Sequence, residues 1–73
     1  MTNLELAIKY GSQSYQVKYG ETITTVVRNL YGDYSDKYFK SILELNSRFD
    51  WDNLDTSVKL QYLDKTIIDS YGN

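Results

Sequence analysis

Two acidic residues on either side of a tryptophan are the part of this sequence with the most obvious potential for catalysis. Asp50 and Asp52 flank Trp51, and a pair of carboxylates beside a sugar-binding surface is what glycoside hydrolysis requires. Acids two residues apart in a polar loop are, however, more typical of a solvated turn. The chain also lacks histidine and cysteine, and so small a domain offers no deep pocket. We therefore expect no catalytic residues and no enzyme activity.

The missing histidine and cysteine also bear on metals, cofactors and stability. Zinc sites are normally built from these two residue types, so we expect no metal site and no cofactor. Without cysteine there is no disulfide, and a chain of 73 residues has little surface to bury. An apolar core or a partner must hold it together. The 41% of apolar residues is enough for one small core.

Charge and hydropathy exclude several classes of partner. The net charge is −2 and the eight basic residues are scattered along the chain, whereas a nucleic-acid binder needs a basic stripe. No apolar run approaches the roughly 18 residues of a membrane span. The first residues lack a positively charged start followed by a long apolar segment, so we expect no export by a signal peptide. Nucleic acid and membrane are thus not expected as partners.

The first part of the chain alternates in a way that predicts strands. Residues 4–10 (LELAIKY) and 15–17 (YQV) place an apolar residue at every second position, as half-buried strands do. The turn cluster at 11–14 would join them as a hairpin. Thr22 is then a predicted N-cap, and it opens a helix whose apolar residues recur at helical spacing up to Gly32, which is suited to a left-handed helix end.

A second helix, a last strand and an apolar tail complete the predicted elements. Ser35 or Asp36 would cap the second helix, and Asn46 would close it in a left-handed conformation. Residues 58–63 alternate again and predict a strand. The tail at 64–73 carries Ile67, Ile68 and Tyr71, so it is too apolar to be treated as disordered.

These elements predict one α+β domain over residues 1–73. Two strands separated in sequence by two helices can pair antiparallel, with both helices packed on one face of a short sheet. The expected order is therefore β–α–α–β, preceded by an extra N-terminal strand and followed by the apolar tail.

Residues 15–63 resemble a LysM domain. The first half carries the match, while the Pro-Gly that the family usually has before its last strand is replaced by Thr56-Ser57. Residues 1–14 form an N-terminal extension to this core and residues 64–73 a C-terminal tail. The matching segments are Tyr15-Gln16-Val17, Gly20-Glu21-Thr22-Ile23, Thr25-Val26-Val27 and Tyr31-Gly32.

The resemblance implies a βααβ fold and a glycan ligand. LysM domains typically bind N-acetylglucosamine units of peptidoglycan or chitin, in a shallow groove between the loop after the first strand and the loop after the second helix. The glycine-led turn has an equally physical structural interpretation, since Gly20 makes a tight turn and Thr22 caps a helix. The groove candidates carried over are Tyr19, Gly20, Glu21, Thr22, Ile23, Asn46, Phe49, Trp51 and Asn53.

Two features favour an assembly component over a free glycan binder. The module occurs once, although a shallow groove binds weakly and repeats normally supply avidity, and apolar segments flank it on both sides. Small LysM-like proteins of phage tails and baseplates resemble this arrangement. We therefore expect a structural adaptor that is made in the host cytoplasm, resides in the virion and binds other tail or baseplate proteins, with peptidoglycan binding as the alternative. The interface candidates are Leu4, Leu6, Ile8, Tyr10, Ile67, Ile68 and Tyr71.

Overall fold

The computed structural model describes residues 2–46 and 54–71, which form a small α+β domain. Within these ranges, no helix is long and apolar enough to cross a membrane. The elements in chain order are α1 (Asn3–Tyr10), β1 (Gln13–Gln16), α2 (Ile23–Tyr31), α3 (Asp36–Leu45), β2 (Lys59–Tyr62) and α4 (Lys65–Tyr71).

The two strands pair with each other across the two central helices. β1 and β2 are antiparallel, with Tyr15 opposite Leu60, and the Val17 N–H donates to the Val58 carbonyl at 3.0 Å just beyond the ladder. Helix α3 contacts both β2 and α2. The predicted β–α–α–β order is therefore confirmed. β1 begins two residues before the predicted 15–17 and ends one residue earlier, and β2 is one residue shorter at each end than the predicted 58–63.

The helix ends agree with the sequence at three of four predicted positions. The Thr22 hydroxyl accepts from the Thr25 N–H and caps α2, and the Ser35 hydroxyl does the same for α3 by accepting from the Lys37 N–H. Gly32 ends α2 in the left-handed region at φ 84°. Asn46 does not, since its φ is −136°; its side chain has a different task, described below.

The N-terminal segment is a helix, so the predicted strand at 4–10 and its hairpin with 15–17 are wrong. Thr2 and Glu5 form a capping box, in which the Thr2 hydroxyl accepts from the Glu5 N–H and a Glu5 carboxylate oxygen accepts from the Thr2 N–H. Such reciprocal bonds start a helix firmly. In α1 the apolar residues no longer share one face: Leu6 is fully buried, whereas Ile8 is 87% exposed.

Both flanking segments belong to the same core as the central module. Leu6 from α1 and Ile68 from α4 are buried in one cluster with residues of the sheet and of α2 and α3. Residues 65–71 of the predicted tail are thus helical, and this helix contacts both α1 and α3. The buried cluster consists of Leu6, Val17, Val26, Val27, Tyr31, Tyr38, Ile42, Leu60, Leu63 and Ile68.

A tyrosine pair and an ionic cluster hold α4 against the module. The rings of Tyr31 and Tyr38 stack with centroids 4.6 Å apart, and the Tyr31 hydroxyl donates to the Leu63 carbonyl at 2.8 Å. The Tyr38 hydroxyl donates to an Asp69 carboxylate oxygen at 2.7 Å. Lys37 and Lys65 pair with the same carboxylate, and these partners hold the pKa of Asp69 well below its usual range. Helix α4 is therefore tied to α3 by charge as well as by packing.

Two leucines two residues apart in α1 provide a matched test of this fold. We expect Leu6→Ala to lower the free energy of unfolding by about 3 kcal/mol, because it leaves a cavity in the core. Leu4→Ala should change it by less than about 0.5 kcal/mol, since Leu4 lies at the surface. Urea denaturation followed by circular dichroism measures both. Equal losses for the two variants would contradict the helix and favour the strand, in which both side chains share one face.

Candidate functional site

The turn after β1 presents one aromatic ring to solvent. Tyr19 is 96% exposed at the tip of this turn, and the Glu21 N–H closes it by donating to the Lys18 carbonyl at 3.1 Å. Gly20 has a φ of 81°, and a Cβ added there would meet nothing within 4 Å. The glycine is therefore needed for its backbone conformation and not for close approach of another group.

The carboxylate of Glu21 is the centre of this turn. The Tyr15 hydroxyl donates to its two oxygens at 2.9 and 2.7 Å, and the Lys18 N–H donates at 2.6 Å. The Asn29 amide, on α2, donates to it at 2.6 Å. The side chain thus joins β1, the turn and α2, and both its oxygens are engaged within the chain. Glu21 therefore has a structural task in this turn.

The hydrogen bonds of Glu21 determine its titration. Partial burial works to raise the pKa of Glu21, but the donors on Tyr15, Lys18 and Asn29 outweigh it and leave that pKa below its usual value. The same contact acts oppositely on its partner, since burial and the neighbouring carboxylate raise the pKa of Tyr15. The pair is therefore held as a neutral phenol and an ionised carboxylate, the state in which their hydrogen bond is strong.

The remaining groove candidates of the first loop are structural as well. Besides capping α2, Thr22 has its hydroxyl 3.1 Å from that of Thr25. Ile23 is partly buried and packs against the core. Of the five candidates in this loop, Tyr19 is the one whose side chain is both fully exposed and without a structural task.

Asn46 is buried and ties the end of α3 to β2. Its amide nitrogen donates to the carbonyls of Ile42 and Gln61 at 2.7 and 2.8 Å, and its amide oxygen accepts from the Gln61 N–H at 2.9 Å. The side chain thereby pairs with both backbone groups of Gln61, as a neighbouring strand would. Asn46 therefore has a structural task in the fold.

The other candidates of the second groove loop fall at positions 49–53. Phe49, Trp51 and Asn53 lie outside the described residues, and so do the carboxylates of Asp50 and Asp52 that raised the question of catalysis. Among the residues that are described, no group of three or more acidic side chains lies close enough together to hold a metal ion.

The interface candidates divide into buried and exposed groups. Leu6 and Ile68 are buried in the chain's own core, and Ile67 packs against it, so these three are not available to a partner. Leu4 and Ile8 lie on the surface of α1. The rings of Tyr10 and Tyr71 stack with centroids 5.5 Å apart, which joins α1 to α4 while leaving Tyr71 51% exposed.

Sequence reasoning missed the residues that link these elements. Asn29 donates to Glu21 from eight positions along the chain. Asp69 accepts from Tyr38 and pairs with Lys37 of α3 and Lys65 of α4. No local spacing in the sequence indicates such contacts. The start of α1 did have a signal. Thr2-Asn3-Leu4-Glu5 has the spacing of a capping box, and it would have separated the buried Leu6 from the exposed Leu4 and Ile8.

No protein-family model, curated protein or solved structure matches the chain. The likeness to LysM domains therefore stays a resemblance, carried by the residues of 15–63 and by the order of the elements.

The Glu21 network makes the stability of the turn depend on pH. Because the pKa of Glu21 is lowered on folding, its contribution is present above the pKa of the unfolded chain and is lost as pH falls through the folded value. We expect Glu21→Gln to lower the free energy of unfolding by about 1–2 kcal/mol at neutral pH, and the difference from the unaltered chain to shrink below about pH 4.

Urea titrations at several pH values measure this, with Tyr15→Phe as the companion variant. Tyr15→Phe removes one donor and keeps the carboxylate, so its effect should be smaller. The effects of the two substitutions combined should be less than additive. Parallel pH profiles for the unaltered chain and Glu21→Gln would contradict the role given to this carboxylate.

Proposed function

We propose that the chain is a structural adaptor of a phage tail or baseplate, which binds neighbouring subunits through exposed apolar side chains on its flanking helices. The observation that carries this proposal is the pair Leu4 and Ile8, which are 56% and 87% exposed. They lie on α1, a helix added to the LysM-like module. Among the described residues, the core already holds ten buried apolar side chains without them.

The position of the pair on α1 supports an interaction role. Residues four apart lie on the same side of a helix, so Leu4 and Ile8 form one aliphatic patch, whereas isolated apolar residues on a surface need no explanation. Helix α1 is already anchored by Leu6 and by its capping box. The outer pair is therefore not needed to anchor the helix.

Two tyrosines form a second exposed surface, since Tyr10 is two positions beyond Ile8 and so lies about 200° around α1 from it. Tyr10 and Tyr71 form a stacked, partly exposed pair where α1 meets α4. Tyrosine is enriched at interface hot spots because its ring is large and rigid and its hydroxyl tolerates water. Internal use of Glu21 and Asn46 also favours the adaptor over a glycan binder, since two polar groups of the expected groove are committed to the fold.

The adaptor role predicts that the chain is a fixed part of a particle. In gradient-purified tail particles from cells that encode the chain, we expect it at constant stoichiometry, resistant to washing with high salt. When the native copy is replaced, Ile8→Asp should be lost from the particles, because a buried carboxylate without a partner opposes docking. Quantitative mass spectrometry of the particles measures both.

A matched variant separates docking from folding in this experiment. Thr24→Asp places the same carboxylate on an exposed position of α2, in a first turn that favours acids, and should enter particles normally. Absence of the chain from purified particles, or equal incorporation of the two variants, would overturn the proposed role.

A second candidate function, binding of N-acetylglucosamine polymers, is favoured by Tyr19. This ring is almost fully exposed at the tip of the turn, beside the position where the LysM resemblance places the groove. An exposed aromatic ring is a suitable surface for stacking a sugar. The rigid network around Glu21 would hold the turn in place.

Co-sedimentation with insoluble peptidoglycan tests the glycan alternative. If the chain binds, Tyr19→Ala and Trp51→Ala should each reduce the bound fraction, whereas Tyr71→Ala removes an exposed tyrosine from another element and should not. The expected loss for a stacking ring is about tenfold in affinity, or roughly 1.4 kcal/mol. Binding that none of the three variants alters would contradict the groove.

A further inference from the structure

The exposed aliphatic pair of α1 is bordered by two opposite charges. Glu5 and Lys9 are both exposed and four residues apart, so they too lie on one side of the helix. They follow Leu4 and Ile8 by one position, a rotation of about 100°. Helix α1 thus presents an aliphatic row with an adjacent charged row, acidic near its start and basic near its end.

These charges have no ionic partner within the described chain. Over residues 2–46 and 54–71, both ion pairs involve Asp69. One Glu5 oxygen accepts from the Thr2 N–H at 3.0 Å, while the Lys9 ammonium lies 5.2 Å from the centre of the Tyr10 ring. The Glu5–Lys9 row is therefore available to a partner.

We propose that the outer face of α1 docks against the same face of a second copy of the chain, in an antiparallel, two-fold symmetric contact. This inference rests on the proposed adaptor function and names the partner for one of its surfaces. In such a contact Leu4 meets Ile8 of the second copy, and Ile8 meets its Leu4.

Symmetry makes the charges complementary in this arrangement and in no parallel one. A two-fold axis perpendicular to both helices brings the same flank of each helix together and reverses its direction. Glu5 of one copy then lies beside Lys9 of the other, twice over. In a parallel two-fold pair the axis runs along the helices and places the charged flanks of the two copies on opposite sides of the contact, so Glu5 of one copy would not meet Lys9 of the other.

The size of the face determines how tightly two copies associate. Stable interfaces bury about 800 Å² on each partner, and an eight-residue helix offers less. We expect a dissociation constant on the order of 0.1–1 mM for the isolated chain. Within an assembly, where copies are held at high effective concentration, a contact of this strength is sufficient.

Charge reversal tests the contact directly. We expect sedimentation equilibrium of the full chain to show a monomer–dimer equilibrium. Glu5→Lys and Lys9→Glu should each weaken it by about tenfold, because each places like charges opposite one another. An equimolar mixture of the two variants should associate as well as the unaltered chain, since every contact between them is again between opposite charges.

Folding controls accompany the charge variants, because Glu5 also belongs to the capping box. Circular dichroism verifies that each variant keeps its helices. The mixture contains the same two variants that are measured singly, so a folding defect would weaken the association of the mixture as well. Ile8→Asp should abolish association, whereas Thr24→Asp should leave it unchanged. Added salt should strengthen the self-association of each single charge variant by screening the repulsion.

The outcomes separate this inference from the proposed function. A folded chain that stays monomeric at all concentrations, or a mixture that associates no better than its components, would overturn the contact between copies. Incorporation into particles that still depends on Ile8 would then leave the adaptor role standing with a different subunit on α1. Absence from particles would overturn the adaptor role whatever the chain does in solution.

Discussion

The fold depends on the bonds that Asn46 makes to β2. A two-stranded sheet with four residues in each strand is marginal by itself, and here the strands lie far apart in the sequence, so no tight turn sets their register. The Asn46 amide pairs with both backbone groups of Gln61 and also with the carbonyl of Ile42 in α3. One side chain therefore holds β2 to α3 and satisfies backbone groups at the sheet edge that burial would otherwise leave unpaired.

The central module was predictable because its signals are local. Thr22 and Gly32 begin and end α2 through bonds within one turn, and the helical spacing between them needs no distant contact. Asn46 was correctly placed at the end of α3, but its conformation was not, because a long-range bond to Gln61 outweighs the local preference for a left-handed cap. The same limit applies to Glu21, whose partner Asn29 is fixed only once α2 packs.

The N-terminal segment was mispredicted because the spacing of its apolar residues is compatible with both a strand and a helix. Leu4, Leu6, Ile8 and Tyr10 alternate as in a strand, while Leu6 and Tyr10 are also four apart, as on one side of a helix. The capping box at Thr2 and Glu5 favours the helix over the strand, and the stacking of Tyr10 on Tyr71 stabilises the helix further. The consequence reaches function, since the strand would have buried or exposed Leu4, Leu6 and Ile8 together, whereas the helix divides them.

That division changes where a partner can bind. The LysM resemblance directs attention to the loop after β1, yet Glu21 and Asn46 are bonded within the chain, and in this loop Tyr19 alone keeps a fully exposed ring. The flanking helices contribute to the core through Leu6 and Ile68 and leave Leu4, Ile8 and Tyr71 on the outside. Groove residues that stabilise the fold, and an exposed aliphatic pair on an added helix, are the two observations that support the proposal of protein neighbours over that of a glycan ligand.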